Sequence, residues 1–465
     1  MLSHIRSMKK FLPAILSLAM LAGGAVLYVQ DAAAQAPAPE APAAAAAAPE
    51  AAAAPAPPKI DTGDTAWVLV STALVLLMTA PGVALFYGGM VRSKNALSTV
   101  MQSFVILCLI SIQWVLWGYS LAFGPDIGGI IGSTAWFGLN GVGTAPNADY
   151  AATIPHQAFM LFQMMFAVIT PALITGAFAE RIKFSGFLLF TVLWATFIYD
   201  PLAHWVWGVG GWVRNLGALD FAGGTVVHIS SGIAGLACAL VVKKRLGLGK
   251  EGMHPNNLPM TLTGAALLWF GWFGFNAGSA LGAGELATST FTATNTATAA
   301  AALSWMVAEW IYRGKPSALG VASGAVAGLV AITPASGFVG AISSIWIGIG
   351  AGVLCYLFVM LKPLFGYDDA LDAVGVHGIG GTWGALATGL FASKAVNAAG
   401  ADGLFFGNPA QLGIQALAVL VTLVFVFVGT LIILAIVGAI TGLRVSEEDE
   451  RTGLDLSQHD EKAYS

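Results

Sequence analysis

The stretches Asp220-Phe-Ala-Gly-Gly-Thr-Val-Val-His228 and Asp369-Ala-Leu-Asp-Ala-Val-Gly-Val-His377 repeat one pattern, in which an acid precedes a histidine by eight residues at an apolar segment. A single histidine in such a segment is ordinarily a hydrogen-bonded core residue. Two at matching depth, in two halves of a hydrophobic chain, indicate a shared polar site, because ionisable side chains inside a membrane usually serve a function. Two unrelated structural histidines are the alternative.

The composition is that of a membrane protein. Hydrophobic residues make up 57% of the 465 residues and charged residues only 9%, far below the share in soluble domains. The net charge of -4, without a basic block outside the loops, argues against nucleic-acid binding. The three cysteines are an odd number within apolar runs, so we expect core residues rather than disulfide or zinc partners: Cys108, Cys238 and Cys355.

Two N-terminal segments are excluded from the fold. Residues 1–36 combine a basic start, an apolar run and small residues, which is typical of a signal peptide cleaved after Ala34 or Ala36. An uncleaved first helix is the alternative. Residues 37–60 are almost entirely Ala, Pro and Glu, a spacer that cannot bury a core.

Eleven later segments have the length of about 20 residues that crosses a bilayer. They lie near 62–88, 97–122, 157–179, 185–208, 222–242, 259–281, 287–312, 317–333, 338–361, 371–392 and 410–442. The sequence therefore predicts an all-α polytopic membrane protein with 11 transmembrane helices. Its transmembrane domain spans 61–443 and comprises a first half at 61–245, a second half at 258–392 and a long final helix at 410–442.

Loop charges predict the orientation. The loops after odd-numbered spans carry eleven lysines and arginines, whereas the opposite loops carry only Arg214 and Lys394. The positive-inside rule then places the mature N-terminus outside the cytoplasmic (inner) membrane and the tail, 444–465, in the cytoplasm. Spans one to five and six to ten run in opposite senses, an inverted 5+5 repeat. His228 and His377 would each lie roughly 12 Å deep, near the bilayer midplane.

Aromatic residues at helical spacing point towards the same site. Trp272, Phe275 and Ser279 are spaced i, i+3 and i+7 and share one face of span six. Phe162 and Phe166 lie one turn apart in span three. These residues predict a hydrophobic constriction next to the histidines, and ordinary core packing is the alternative.

Polar residues at the span ends allow structural or functional interpretations. Asp220 either caps span five or attracts a cation, whereas Asp369 and Asp372 are expected to cap span ten. Tryptophans at the outer end of span four form an interfacial belt or hold a cation by a ring face: Trp205, Trp207 and Trp212. Three further histidines are expected near the surface: His156, His204 and His254. From these residues alone, we infer a channel or transporter for a small solute that is either neutral or cationic.

Residues 60 to 465 resemble the Amt/Mep/Rh ammonium transporter family, and the bacterial Amt branch in particular. The resemblance rests on the motifs Ala218-Leu-Asp-Phe-Ala-Gly-Gly-Thr-Val-Val-His228, Trp272-Phe-Gly-Phe-Asn-Ala-Gly-Ser279, Ile332-Thr-Pro334 and Val374-Gly-Val-His377-Gly. The segment Thr452 to Tyr464 is similar to the family's cytoplasmic tail.

The resemblance implies roles for individual residues. Substrate recruitment would involve Trp207, Ser279 and Phe162, supported by Asp220; the gate would be Phe166 and Phe275; the pore would be lined by His228, His377, Trp272 and Thr333. Trp205 and Trp212 are alternatives to Trp207, because the segment from Trp207 to Asp220 is one residue longer than the family's spacing.

The resemblance also implies substrate and partners. Ammonium or methylammonium would be taken up as ammonia plus a proton by a homotrimer, and no cofactor is expected. The residues themselves argue against a metal site, because no Cys, Glu or third His lies at the depth of the two histidines, and against an enzyme, because no nucleophile–base–orienter set is present. A cytoplasmic PII-type signal protein would dock on the tail, for which a solvated end is the alternative. An ammonium sensor and a neutral-gas channel for ammonia or carbon dioxide are the competing functions.

Overall fold

The computed structural model describes residues 59–464, so the expected signal peptide and nearly all of the spacer lie outside the described residues. The helices are α1 (Thr62–Met90), α2 (Ser93–Phe123), α3 (His156–Phe178), α4 (Phe184–Trp194, continued by Ala195–Tyr199 and Asp200–Trp207), α5 (Gly224–Val242), α6 (Leu258–Ala280), α7 (Glu285–Arg313), α8 (Ala318–Ile332), α9 (Ala341–Phe365), α10 (Val374–Ile379, continued by Gly380–Phe391) and α11 (Pro409–Ile440). The tail adds α12 (Glu447–Thr452) and α13 (Leu454–His459).

Each predicted span coincides with one of the helices α1 to α11. Among residues 59–464, eight helices are both long and apolar enough to cross a membrane: α1 to α6, α9 and α11. Helix α8 is apolar but has only 15 residues, and α7 and α10 are not among the eight. The multi-pass class is confirmed for a mostly helical chain, and the count of eleven crossings stays a prediction.

The loop between α2 and α3 contains two small hairpins that the sequence did not reveal. Strand β1 (Asp126–Ile127) pairs antiparallel with β2 (Ile131–Gly132), with Asp126 opposite Gly132. Strand β3 (Pro146–Asn147) pairs with β4 (Ala151–Pro155) through an irregular register. A short helix, Trp212–Asn215, follows α4. These segments surround the end of the molecule at which Trp207 lies.

Several helices contain π-helical segments, which open the backbone locally. One lies in α1 at Met78–Val83 and includes Pro81. Another ends one residue before the Asp200-Pro201 pair of α4. Proline has no N–H and clashes with the carbonyl four residues earlier, so a wider turn relieves both constraints.

Small residues let the helices approach closely. In α9, a side chain at Gly348 or Gly352 would overlap the backbone of Ala297 or Ala301 in α7. Such close approach is how membrane helices gain packing energy. The cysteine expectation is only partly right, because Cys238 and Cys355 are buried whereas Cys108 is exposed.

The tail folds against the start of α2, so it is not a solvated end. The carboxylate of Asp455 accepts the N–H groups of Leu97 (3.0 Å) and Ser98 (2.7 Å). The Asn95 side chain accepts the N–H of Leu454 at 2.8 Å. Helix starts have unpaired N–H groups that a carboxylate satisfies, so the tail supplies the cap of α2.

A buried charge network joins the loops on the same side of the molecule. Glu180 accepts from Arg92 and lies 3.4 Å from Arg245, which also pairs with Asp368 at 2.9 Å. Burial opposes ionisation of Asp368, but the Arg245 guanidinium holds the pKa of this carboxyl below its usual value. These charges are therefore mutually compensated.

Candidate functional site

The first histidine lies on a π-helical turn whose start is fixed by Asp220. Its carboxylate accepts the N–H groups of Gly223 (2.8 Å), Gly224 (2.6 Å) and Thr225 (2.7 Å) and the Thr225 hydroxyl. Gly223 has φ +116°, which favours glycine because other residues would be strained. The carboxylate is thus committed to capping the helix that carries His228.

The second histidine lies on a matching π-helical turn in α10. The carboxylate of Asp369 accepts from the N–H groups of Ala373 (3.1 Å) and Val374 (2.8 Å). The expectation that Asp372 also caps this helix is wrong: its carboxylate pairs with Lys362 at 2.5 Å, and its φ of +61° turns the chain before the helix.

The structure brings His228 and His377 together although 149 positions separate them in the chain. Their ring centroids lie 5.5 Å apart with the planes at 22°, and both side chains are buried. Neither Nδ1 atom has a hydrogen-bond partner among the described residues. Two buried rings with free nitrogen atoms can bind a small polar guest or exchange a proton with it.

A hydroxyl group anchors one ring only. The Thr333 hydroxyl donates to the Leu329 carbonyl at 2.7 Å and accepts from Trp272 Nε1 at 2.9 Å. His228 Nε2 lies 3.3 Å from the same oxygen. Because the Thr333 proton is already used, Nε2 of His228 is the donor in this contact. The resemblance implies a pore-lining position for Thr333 but gives none of these hydrogen-bond partners.

Two phenylalanine rings close the space next to the histidines. Phe166 and Phe275 have centroids 4.3 Å apart, and Phe275 is 6.0 Å from the ring of His228. Phe162 packs against Phe166 at 5.0 Å. All three phenylalanines are buried, so this stack separates the histidines from the wider space beyond it.

An open cavity of about 210 Å³ lies on the far side of the stack. Its lining includes Phe166, Trp207 and Ser279, but not the ring of Trp205, which packs against Phe425 at 4.4 Å and Trp212 at 5.7 Å. Of the three candidate tryptophans, Trp207 therefore faces the cavity.

Backbone groups hold Trp207 in place. Its Nε1 donates to the main-chain carbonyl of Asp220 at 2.9 Å. The Ser279 hydroxyl donates to the Phe275 carbonyl at 2.9 Å, which leaves the oxygen lone pairs as acceptors. The cavity thus offers a ring face and an oxygen acceptor, and both attract a cation.

The surface expectation for two other histidines is wrong, because both are buried. His156 Nε2 lies 2.6 Å from the Tyr119 hydroxyl. His204, one turn before Trp207, has Nδ1 3.0 Å from the Ala122 carbonyl and Nε2 2.9 Å from Asp126. The hydrogen bond from His204 lowers the pKa of Asp126. Sequence reasoning missed these roles because the partners, Tyr119 and Ala122 in α2 and Asp126 in β1, are brought to the rings by the tertiary fold.

Comparison with known proteins identifies the family. The sequence model described as "Ammonium Transporter Family" matches residues 66–464. The chain belongs to this family. The ammonium transporter of Bacillus subtilis is 58% identical over 405 residues, which cover 86% of this chain and 98% of the relative. The ammonium transporter Amt1 of Archaeoglobus fulgidus is 51% identical over 403 residues, which cover 87% of this chain and 99% of the relative.

Solved structures of similar proteins have the same fold. The crystal structure of Saccharomyces cerevisiae Mep2 matches with a TM-score of 0.78 and 38% identity, covering 83% of this chain and 91% of that one. A structure titled "Sensor Amt Protein" matches with a TM-score of 0.77 and 32% identity, covering 85% and 98%. This member of the ammonium transporter family is therefore a multi-pass membrane protein.

Proposed function

We propose that this protein moves ammonium across the cytoplasmic membrane as ammonia plus a proton. The observation that carries the proposal is the succession of neighbouring groups: a cavity with Trp207 and Ser279, the stacked Phe166 and Phe275, and then the paired histidines. Methylammonium would follow the same route.

Recruitment of the cation would occur in the cavity. The face of Trp207 attracts ammonium through cation–π interaction, and the Ser279 oxygen accepts one of its N–H groups. Phe162 supports this site through its contact with Phe166. Asp220 contributes indirectly, because its carbonyl orients Trp207 while its carboxylate caps the helix of His228.

Selectivity would come from deprotonation. Potassium and ammonium both bind an aromatic and oxygen-lined cavity, but a bare cation loses several kcal/mol or more of hydration in an apolar pore. Ammonium can release its proton and pass the phenylalanine gate as neutral ammonia, which potassium cannot do. His228 and His377 would then receive ammonia or relay the proton, with Trp272 and Thr333 fixing one ring.

The test uses proteoliposomes with the wild type and the double variant His228→Ala/His377→Ala. We expect the double variant to lose ammonium-driven transport or its selectivity over potassium, measured as currents after ammonium and potassium steps. His254→Ala is the matched control, because that histidine is exposed in a loop. Full selectivity in the double variant would reject this mechanism.

Recruitment is tested by comparing Trp207→Leu with Trp205→Leu. Removal of a cation–π contact worth about 1–2 kcal/mol predicts roughly a tenfold higher half-saturating methylammonium concentration for Trp207→Leu. Trp205→Leu should behave as the wild type, since its ring packs on Phe425. An equal effect of both variants would contradict a recruitment site at Trp207.

An ammonium sensor is the second candidate, because one similar structure is titled "Sensor Amt Protein". A neutral-gas channel is a third, although it has no need for the cation-attracting cavity. Uptake of labelled methylammonium by cells without other carriers distinguishes them. Concentrative uptake favours the transporter, whereas its absence favours the sensor, and transport of carbon dioxide favours the gas channel.

The membrane arrangement belongs to the same proposal. We place all eleven helices α1 to α11 across the membrane as an inverted 5+5 repeat followed by α11, with the mature N-terminus outside. The capped π-turns at the two histidines support this symmetry. Cysteine labelling of loop positions from either side of the membrane tests it.

We further propose a homotrimer that binds a cytoplasmic PII-type signal protein through the tail. Deletion of residues 446–465 should abolish binding, measured by co-purification with a purified PII protein. Because this deletion also removes the cap of α2, Leu456→Asp provides a second variant that changes an exposed tail side chain. Undiminished binding in both would exclude the tail as the docking segment.

A further inference from the structure

A carboxyl group away from the histidines is buried inside the helix bundle. Asp200 lies in α4 two turns before Trp207, and its side chain is fully buried. Its Oδ2 accepts from Gln113 Nε2 at 2.8 Å. Gln113 lies in α2, so this bond joins two helices through side chains. None of the groups assigned to recruitment, gate or pore takes part in it.

Within the part of the chain that the structure describes, no cation pairs with Asp200. Asp200 occurs in none of the ion pairs among residues 59–464. Thr196 accepts from Trp117 Nε1 at 3.0 Å and lies 3.4 Å from Gln113, and all three are uncharged. Two titratable groups lie nearby on the same helix: Tyr199, which is a phenol, and His204, whose ring pairs with Asp126 rather than with Asp200. An isolated carboxylate in such surroundings is very costly.

The hydrogen bonding leaves two acceptors without a donor. Asp200 Oδ1 and Gln113 Oε1 are both buried and both unpartnered among the described residues. An ionised carboxylate can only accept, and so can an amide oxygen. A proton on Asp200 Oδ1 would give both oxygens a hydrogen bond. The resulting O–H would donate towards Gln113 Oε1, while Gln113 Nε2 donates to Asp200 Oδ2.

The backbone next to both residues departs from regular α-helical geometry, and Pro201 contributes to this departure in α4. Gln113 immediately precedes the π-helical segment Trp114–Gly118, and Asp200 immediately follows the π-helical segment Ala195–Tyr199. A Cβ atom at Gly118 would lie 2.7 Å from Gln113 Oε1, so only glycine leaves room for the amide in its present place. Paired π-segments of this kind are frequent where a helix serves a specific site.

We propose that Asp200 is a proton-binding site, which holds a carboxylic acid paired with the amide of Gln113 and thereby fastens α2 to α4. The site is separate from the proposed transport route and independent of it. The proton stays bound across the physiological pH range, because its loss would leave a buried charge facing a second acceptor.

Infrared difference spectra of the purified full-length protein test this site. The wild type minus Asp200→Asn should show a protonated-carboxyl C=O band that shifts in heavy water and is present at neutral pH, where an ordinary aspartate is ionised. The matched control, Asp61→Asn at an exposed helix cap, should show only a carboxylate band at neutral pH.

The variant Gln113→Leu tests the carboxyl group of Asp200 through its hydrogen-bond partner. Without its amide partner, the carboxylic C=O band should move to higher frequency but remain present. Methylammonium uptake by Asp200→Asn should equal that of the wild type, since asparagine carries a donor where the acid carries its proton. The proposal is overturned if Asp200→Asn removes a carboxylate band instead, or if the band of the wild type responds to sodium, which would identify a bound cation in place of the proton.

Discussion

The helix carrying His228 and the helix carrying His377 begin alike but are held differently. Both start with six π-helical residues that follow an aspartate. Asp220 accepts three N–H groups at short distance and a hydroxyl, and His228 additionally contacts Thr333. Asp369 accepts two N–H groups, and no hydrogen-bond partner of the His377 ring occurs among the described residues. Two similar motifs therefore restrain their histidine rings and helix starts to different degrees.

The largest difference should follow removal of the two caps. Asp220→Ala leaves three short N–H donors unsatisfied, and at about 1–3 kcal/mol for each buried donor we expect a loss of at least about 3 kcal/mol in unfolding free energy. Asp369→Ala leaves two donors and should lose about 2 kcal/mol. Unfolding in mixed micelles measures both, and a greater loss for Asp369→Ala would reverse the comparison.

Thr333 accounts for a smaller part of the difference. Thr333→Val removes the acceptor for Trp272 Nε1 and His228 Nε2, and should cost about 1–3 kcal/mol in stability with slower ammonium transport. Thr333→Ser keeps the hydroxyl and is the control. If the valine and serine variants transported ammonium equally well, the contact between Thr333 and His228 would not be needed for transport.

The cap of the second helix should also respond to pH. Burial raises the pKa of Asp369 from 3.8 to about 6, while Lys362 opposes the shift. A raised pKa in the folded state means that the group favours folding below its unfolded pKa and loses this contribution as the pH rises through about 6. Relative to Asp369→Asn, the wild type should lose about 1 kcal/mol between about pH 5 and about pH 8. If the wild type instead gained stability relative to Asp369→Asn over this pH range, a raised pKa of Asp369 would be contradicted.

The smallest effect is expected at Asp372. Its ion pair with Lys362 is partly exposed, and such pairs contribute about 0–1 kcal/mol. Glycine tolerates the φ of +61° better than aspartate. Asp372→Gly should therefore change the unfolding free energy by less than about 1 kcal/mol, whereas Asp372→Ala loses the pair without relief of strain and should be less stable than the glycine variant.

The sequence predicted the helices well because each is a long apolar segment. Both ends of each of the eleven predicted spans lie within a few residues of the observed helix ends. It could not predict the π-helical turns, which depend on how Asp220, Asp369 and Pro201 meet their neighbours. It also missed the buried position of His204, because Asp126 reaches this ring from a hairpin 78 positions away. Side-chain partners set by tertiary contacts leave little local pattern.

The order of synthesis gives the capped start of α2 a further meaning. Leu97 and Ser98 leave the ribosome long before Asp455, which is 357 positions beyond Ser98. Chains fold from the N-terminus during synthesis. The N–H groups of Leu97 and Ser98 therefore lack their carboxylate acceptor until Asp455 has been synthesised. A chain that ends before residue 455 therefore keeps exposed N–H groups at this helix start.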